Sequence, residues 1–263
     1  MRGGPALLAA LPEEARGILK AGCWSKAASS GSHEMYECRA GSDQAVLAVS
    51  GVGKVHAEKA TRAVLEERRP SAVLSLGFAG GLVADQRAGD LVIARVLIPA
   101  GSVSNGEPNP RVSEALYTDQ TLINKAIGVL ATLGLRYRIG ACVTASRLVS
   151  RPGAKRQLGL DTDALAVEME SFWIALACHE RNVPFLAVRA IVDTAERALP
   201  DFLATSALES GSVNRWRHRL PFMLRPWSLP TLIRLGGAAS GARNSLTAFA
   251  AGFLRDWSRT VSQ

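Results

Sequence analysis

The chain has 263 residues, 48% of them hydrophobic, and a formal net charge of +8. That is enough for one large α/β domain or two small ones, and the apolar content excludes a disordered chain. No uninterrupted apolar run approaches the roughly 18 residues of a membrane span, and Cys23, Cys38, Cys142 and Cys178 include no Cys-x-x-Cys pair, which suits reduced thiols better than disulfides or zinc.

Pro5 to Leu11 reads as a first strand. The apolar stretch is short and is followed by Glu13 and Glu14, so no signal peptide is expected and the expected location is cytoplasmic. Pro12 suits a first helical position, and the two glutamates fall in a first turn, where the helix dipole favours negative charge. Glu34 to Ala40 and Gln44 to Ser50 read as strands joined at Gly41-Ser42-Asp43. Ser50-Gly-Val-Gly-Lys54 can turn tightly and approach a ligand. It is not a phosphate-binding P-loop, because Val55 stands where Ser or Thr would hold magnesium, and His56 breaks a Gly-x-Gly-x-x-Gly pattern. A helix over 55–67 follows. Ala72 to Leu76 is a buried strand leading into the loop Gly77-Phe-Ala-Gly-Gly81. Gly89 opens another strand, 99–111 is a loop, Leu122 to Leu133 a helix, and Ile139 to Thr144 a strand running into Ala145 to Val149.

The stretch from Ala164 to Ala195 carries the most chemistry. Leu165–Val167 and Phe185–Val192 are short apolar runs of the kind found in buried strands. Between them Trp173, Ile174, Ala177 and Cys178 share one helical face. Strand, helix, strand implies a parallel crossover, and in open α/β sheets ligands bind beyond the carboxyl ends of the strands. Glu168, Glu170 and Asp193 sit at those ends. They are candidate site residues; alternatively, the glutamate pair supports a helix N-terminus.

Val-Glu-Met-Glu-Ser at 167–171 and Val-Arg-Ala-Ile-Val-Asp-Thr-Ala at 188–195 resemble the ribose- and base-binding signatures of the nucleoside phosphorylase and nucleosidase superfamily. The resemblance also takes in Ser50–Lys54 and Gly77–Leu82. It implies a single-domain three-layer α/β/α fold with a central mixed sheet. It implies that Met169 packs on the sugar, Glu170 holds the ribose hydroxyls with Glu168 beside it, and Asp193 acts at purine N7. Gly77, Phe78 and Ala79 would line the ribose, and Leu148 and Val149 the base, Leu148 replacing the aromatic residue usual in nucleosidases. In the nucleosidase branch a glutamate in the context Ala10-Leu-Pro-Glu-Glu14 activates water, which makes Glu14 catalytic beside Asp193. Phosphorylases carry Arg and Ser where Ser75 and Phe78 stand here, so phosphate has lost its usual grip. Inorganic phosphate nevertheless stays open as a co-substrate. No metal and no other cofactor is implied.

From Arg215 onward eight arginines face one acid, Asp256, a surplus of +7. They alternate with Trp216, Phe222, Trp227, Phe249, Phe253 and Trp257, and 230–235 and 242–257 are helix candidates. The division expected is 1–205 as the catalytic domain and 206–263 as a basic, mostly helical C-terminal extension. That extension packs on the domain, on a partner subunit, or at an anionic membrane surface. Nucleic acid is not expected, since no binding module accompanies the charge. Asp193 to Pro200 and Arg225 to Leu235 resemble the hopanoid-associated phosphorylases, which act on adenosylhopane. The partners implied are a small or lipid-linked adenosyl nucleoside, a second copy of the chain as a homodimer, and peripheral contact with the inner membrane face. Methylthioadenosine/S-adenosylhomocysteine nucleosidase and a non-catalytic nucleoside- or lipid-binding protein are the alternative functions.

Overall fold

Short runs of Val, Leu, Ile and Ala form the strands of a computed structural model that describes residues 3–29, 33–40, 43–100, 103–104, 107–108, 115–198 and 229–260. In chain order the elements are β1 (Ala6–Ala9), α1 (Pro12–Ala21), β2 (Ser25–Ala27), β3 (Glu34–Ala40), β4 (Asp43–Val49), α2 (Lys54–Arg68), β5 (Val73–Gly81), β6 (Leu91–Pro99), β7 (Val103–Ser104), β8 (Glu107–Pro108), β9 (Leu116–Tyr117), α3 (Gln120–Leu133), β10 (Tyr137–Thr144), α4 (Pro152–Thr162), β11 (Ala164–Glu168), α5 (Ser171–His179), β12 (Phe185–Asp193) and α6 (Leu229–Thr260).

The main sheet is mixed, in the order β11-β10-β6-β12-β5-β1-β4-β3-β2. Strands β4, β1, β5 and β12 run parallel. β12 meets β6 antiparallel, and β6, β10 and β11 are parallel to one another. β11 then returns to the far end of β5, pairing Ala166 with Gly81 and Val167 with Gly80. This last pairing closes β5, β12, β6, β10 and β11 into a ring. It brings the carboxyl ends of β5 and β11 past each other, and those ends carry the candidate residues.

Period-two alternation on β12 separates the layers. Leu186, Val188 and Ala190 face a core shared with Ile18 of α1, Leu130 of α3 and Phe249 and Phe253 of α6. Phe185, Ala187 and Ile191 face the opposite core, with Ala57 and Val64 of α2 and Phe172 and Ile174 of α5. The arrangement is the α/β/α sandwich expected from the sequence. Local chemistry sets several boundaries. Pro12 opens α1. The Asp119 side chain accepts from the Leu122 N–H at 2.9 Å to start α3, and Gly134 ends it with φ of 62°.

Three elements differ from expectation. The loop expected over Gly77–Gly81 is the second half of β5, because β11 and β12 both pair with it. Helix α4 follows the loop after β10, where no element is expected. The two helices expected at 230–235 and 242–257 are one, α6. Residues 41 and 42 of the expected turn, most of the 99–111 loop and 206–228 of the extension, with Arg225 and Pro226 of its motif, lie outside the described residues.

Candidate active site

Five strand ends converge on the site. Glu14 lies in the first turn after β1, Gly53 in the loop after β4, Gly77 and Phe78 on β5, Glu168 and Glu170 at the end of β11, and Arg189 and Asp193 on β12.

Glu14 is buried. Its Oε2 accepts from the Ala10 and Leu11 N–H groups at 2.9 Å each, and its Oε1 from the Phe78 N–H at 2.7 Å. It therefore closes its own helix N-terminus and ties α1 to β5. Burial pushes its carboxyl above the ordinary glutamate value, against the opposing pull of Arg189 and the three N–H groups. A methyl group on Gly77 would lie 2.8 Å from Glu14 Oε1 and 2.4 Å from Arg189 Nη1, so only glycine lets the β5 backbone pass here.

Arg189 is the residue that sequence reasoning quoted but gave no role. It sits fully buried in the middle of an apolar strand. Its Nη2 donates to Ser75 Oγ at 2.7 Å, Ser171 Oγ at 2.6 Å and Glu168 Oε2 at 2.8 Å, and its Nε donates to Ser171 Oγ at 3.1 Å. Burial alone would lower its pKa, but the carboxylates of Glu168, Glu14 and Glu170 reverse that and hold it firmly charged. The signal was available: an arginine inside an otherwise apolar buried run must be paired.

Glu168 is expected among the substrate contacts. The residue borders the cavity described below, but its carboxylate accepts from Thr144 Oγ1, from the Glu170 N–H at 2.9 Å, from the Ser171 N–H at 2.8 Å and from Arg189. Those donors fill the acceptor capacity of a carboxylate. Glu168 thus serves the helix-start role for α5 while holding Arg189. Glu170 meets fewer donors. Its Oε1 accepts only from the Gly53 N–H, at 2.7 Å, among the described residues. Burial, with Glu168 nearby, pushes it up to about 8.

Asp193 is placed by a bulge. The β12–β5 register shifts between Ile191 and Asp193, so Asp193 lies opposite Gly80. A methyl group on Gly80 would stand 3.3 Å from Asp193 Oδ2. A narrow cavity lined by Gly80, Arg147, Leu148, Val149, Val167, Glu168, Met169 and Asp193 opens beside it. It unites Met169, Leu148, Val149 and Asp193 as the sequence expects. Gly77, Phe78 and Ala79 precede Gly80 on β5, running back toward Glu14, with Ala79 buried. Asp193 Oδ2 is hydrogen-bonded to the Lys155 ammonium, which also donates to Thr194 O at 3.0 Å and Arg197 O at 3.1 Å. Burial raises the Asp193 carboxyl above its ordinary value, while Lys155 and then Arg197 pull the other way. Nothing in the sequence singles out Lys155 from the neighbouring Arg151 and Arg156.

Glu14 and Arg189 thus meet at Gly77 of β5, and Asp193 lines the cavity beside Gly80 of the same strand. Residues 6–214 match the Phosphorylase superfamily. A 5′-methylthioadenosine/S-adenosylhomocysteine nucleosidase of Staphylococcus epidermidis is 29% identical over 177 residues, 64% of this chain and 78% of that one. The nucleosidase of the same name from Neisseria meningitidis, solved in complex with methylthio-immucillin-A, superposes with a TM-score of 0.73 at 23% identity over 96% of this chain and 98% of that one. A futalosine hydrolase mutant of Helicobacter pylori superposes with a TM-score of 0.66 at 25% identity, over 79% of this chain and 95% of that one. The family match covers most of the sequence, and the chain belongs to the phosphorylase superfamily as a nucleoside phosphorylase or nucleosidase.

Proposed function

We propose that the chain cleaves the purine N-glycosidic bond of an adenosyl nucleoside by hydrolysis. The observation that carries this reading is the placement of Glu14 and Arg189 together at Gly77 and of Asp193 at Gly80 on the same strand, β5. The C1′–N9 bond breaks with its electron pair passing to the purine, and Asp193 gives a proton to N7. Such a general acid contributes roughly 10²–10⁴-fold. Glu170 holds the ribose hydroxyls. A water between Glu14 and Arg189 bonds to C1′ and loses its proton to Glu14.

Water is favoured over phosphate by charge. Glu14, Glu168 and Glu170 surround Arg189, whose Nε and Nη2 are already bonded within the protein. Lys54 lies 3.9 Å from the Trp173 ring centroid and 3.9 Å from Glu58 Oε1, held at the surface. A dianion would meet more negative than positive charge. The test is adenine release from an adenosyl substrate with and without inorganic phosphate, with the sugar product identified. Equal rates and a free sugar are expected. Phosphate dependence with a sugar 1-phosphate would make the enzyme a phosphorylase and remove Glu14 as base.

For the substrate, the Asp193–Pro200 and Arg225–Leu235 motifs, together with apolar Phe78 and Leu148, support adenosylhopane, with the basic extension contributing peripheral membrane contact. Methylthioadenosine and S-adenosylhomocysteine are the second reading, supported by the named relatives. A homodimer in which the partner helps close the site accompanies either. Comparable turnover on small thio-nucleosides and on the lipid nucleoside would favour the second reading, and nucleoside binding without base release would make the chain a binding protein.

A further inference from the structure

Lys155 has no part in the chemistry described so far, yet it is completely buried. It lies in the first turn of α4, and α4 packs on β11. The ammonium has three protons and three acceptors: Asp193 Oδ2, Thr194 O and Arg197 O. The two carbonyls belong to the turn that follows β12, so the charge is fixed by backbone that cannot readily move away. A methionine would fill the same space without the desolvation of a buried ammonium. The placement therefore needs a reason other than packing.

We propose that Lys155 is a positioning residue that stabilises the negative charge left on Asp193 as its carboxyl gives up a proton to the purine. This rests on the hydrolytic reading above. In this step Asp193 starts as the carboxylic acid, the form that burial favours against the pull of Lys155. As C1′–N9 breaks, the Asp193 proton moves to N7 and the carboxylate forms against Lys155 Nζ. Burial without Lys155 would leave an acid too weak to release its proton; Lys155 without burial would leave no proton to release. The charged groups facing Asp193 are Lys155 from α4, Arg197 from the turn after β12, and Arg147 and Glu168 bordering the cavity. Lys155 is the one in contact.

The sign follows. Without the ammonium the upward push of burial is opposed by Arg197 alone, so Asp193 keeps its proton to higher pH. In Lys155→Met the alkaline limb of the kcat/KM profile should move to higher pH while kcat falls about 10-fold or more, a part of what a general acid supplies, and KM changes little. Lys155→Arg should restore the wild-type limb. If Lys155 acts through Asp193, then Lys155→Met introduced into Asp193→Asn should cause no further loss of kcat. Lys155→Gln gives the same readings if the methionine variant does not fold. Wild-type enzyme that releases no base overturns the hydrolytic reading and this proposal with it. Wild-type turnover combined with an unmoved alkaline limb, or with additive losses in the double variant, overturns the role of Lys155 alone.

Discussion

Glu168 and Glu170 are two residues apart, identical in chemistry and buried together, yet they do different work. The difference is the number of donors each one meets. Glu168 is saturated by Thr144, two N–H groups and Arg189. Glu170 has the Gly53 N–H alone among the described residues, and burial, with the charge of Glu168 beside it, pushes it up to about 8. Its folded pKa stands above the unfolded value of about 4.5, so the native state holds more protons than the unfolded state between those two values. The stability Glu170 contributes is full below pH 4.5 and is lost as pH rises toward 8. Glu170→Gln, a neutral mimic, should therefore melt higher than wild type at pH 8, with the difference vanishing near pH 5, while losing nucleoside cleavage. A melting temperature equal to wild type at both pH values would show that Glu170 is not held protonated by the fold. Asp193→Asn keeps the shape of its side chain but has no acidic proton to give. It should lose turnover by roughly 10²–10⁴-fold and still bind nucleoside, measurable by calorimetry. Near-wild-type turnover would remove Asp193 as the acid. The motif made Glu170 and Asp193 legible as chemistry, but not the division of labour between Glu168 and Glu170, which depends on donors contributed from residues far away in sequence.

At the scale of elements, what the sequence made legible is what local pattern controls. β12 is an apolar run ending in an acid, and it is found at Phe185–Asp193. Helix α3 has its cap and its glycine stop and is found within two residues of expectation. Helix α4 was not legible because its principal buried residue is a lysine. A helix with no apolar face gives no periodic signal, so Lys155 went with it. The return of β11 to β5 was not legible either, since it depends on a long-range pairing that closes the ring. Helix α6 was read as two pieces across Gly236 and Gly237, each of which weakens a helix by about 1 kcal/mol relative to alanine. It continues because the helix that follows buries Ala242, Leu246, Phe249, Ala250 and Phe253 against the sheet. Phe253, stacked between Phe249 and Trp257 at ring-centroid distances of 5.7 and 5.9 Å, is 1% exposed. Phe253→Ala should cost about 3–5 kcal/mol in denaturant unfolding, with catalysis per folded molecule unchanged. A loss under 1 kcal/mol would mean that the end of α6 is not part of the core.

For the whole molecule, this packing decides what the C-terminal segment is to the domain. From its composition it is expected to pack on the domain, on a partner subunit, or at an anionic membrane surface. In the described part the apolar side is occupied: α6 lies on β12 and against α1 and α3. Lys125 pairs with Asp256 at 2.7 Å, and Trp257 Nε1 donates to Asp43 Oδ2 at 3.4 Å. Arg255 and Arg259 remain on the solvent side. No described helix is long and apolar enough to cross a membrane. Within α6, Phe249 and Phe253 are buried while Arg255 and Arg259 are exposed, so contact of this helix with an anionic surface would fall to the arginines. The consequence is thermodynamic. Leu246, Phe249 and Phe253 each bury a side chain worth about 1.5–3 kcal/mol, against a total stability of about 5–15 kcal/mol for a domain. Removing α6 would also uncover Leu186, Val188 and Ala190, the alternate residues of the strand that carries Arg189 and Asp193. A chain ending at residue 228 should therefore show no cooperative unfolding transition and no base release. A chain in which Arg255 and Arg259 are replaced by glutamine should fold and turn over a water-soluble nucleoside as wild type does. If the shortened chain melts cooperatively and cleaves nucleosides, α6 is an accessory after all, and the catalytic domain is complete without it.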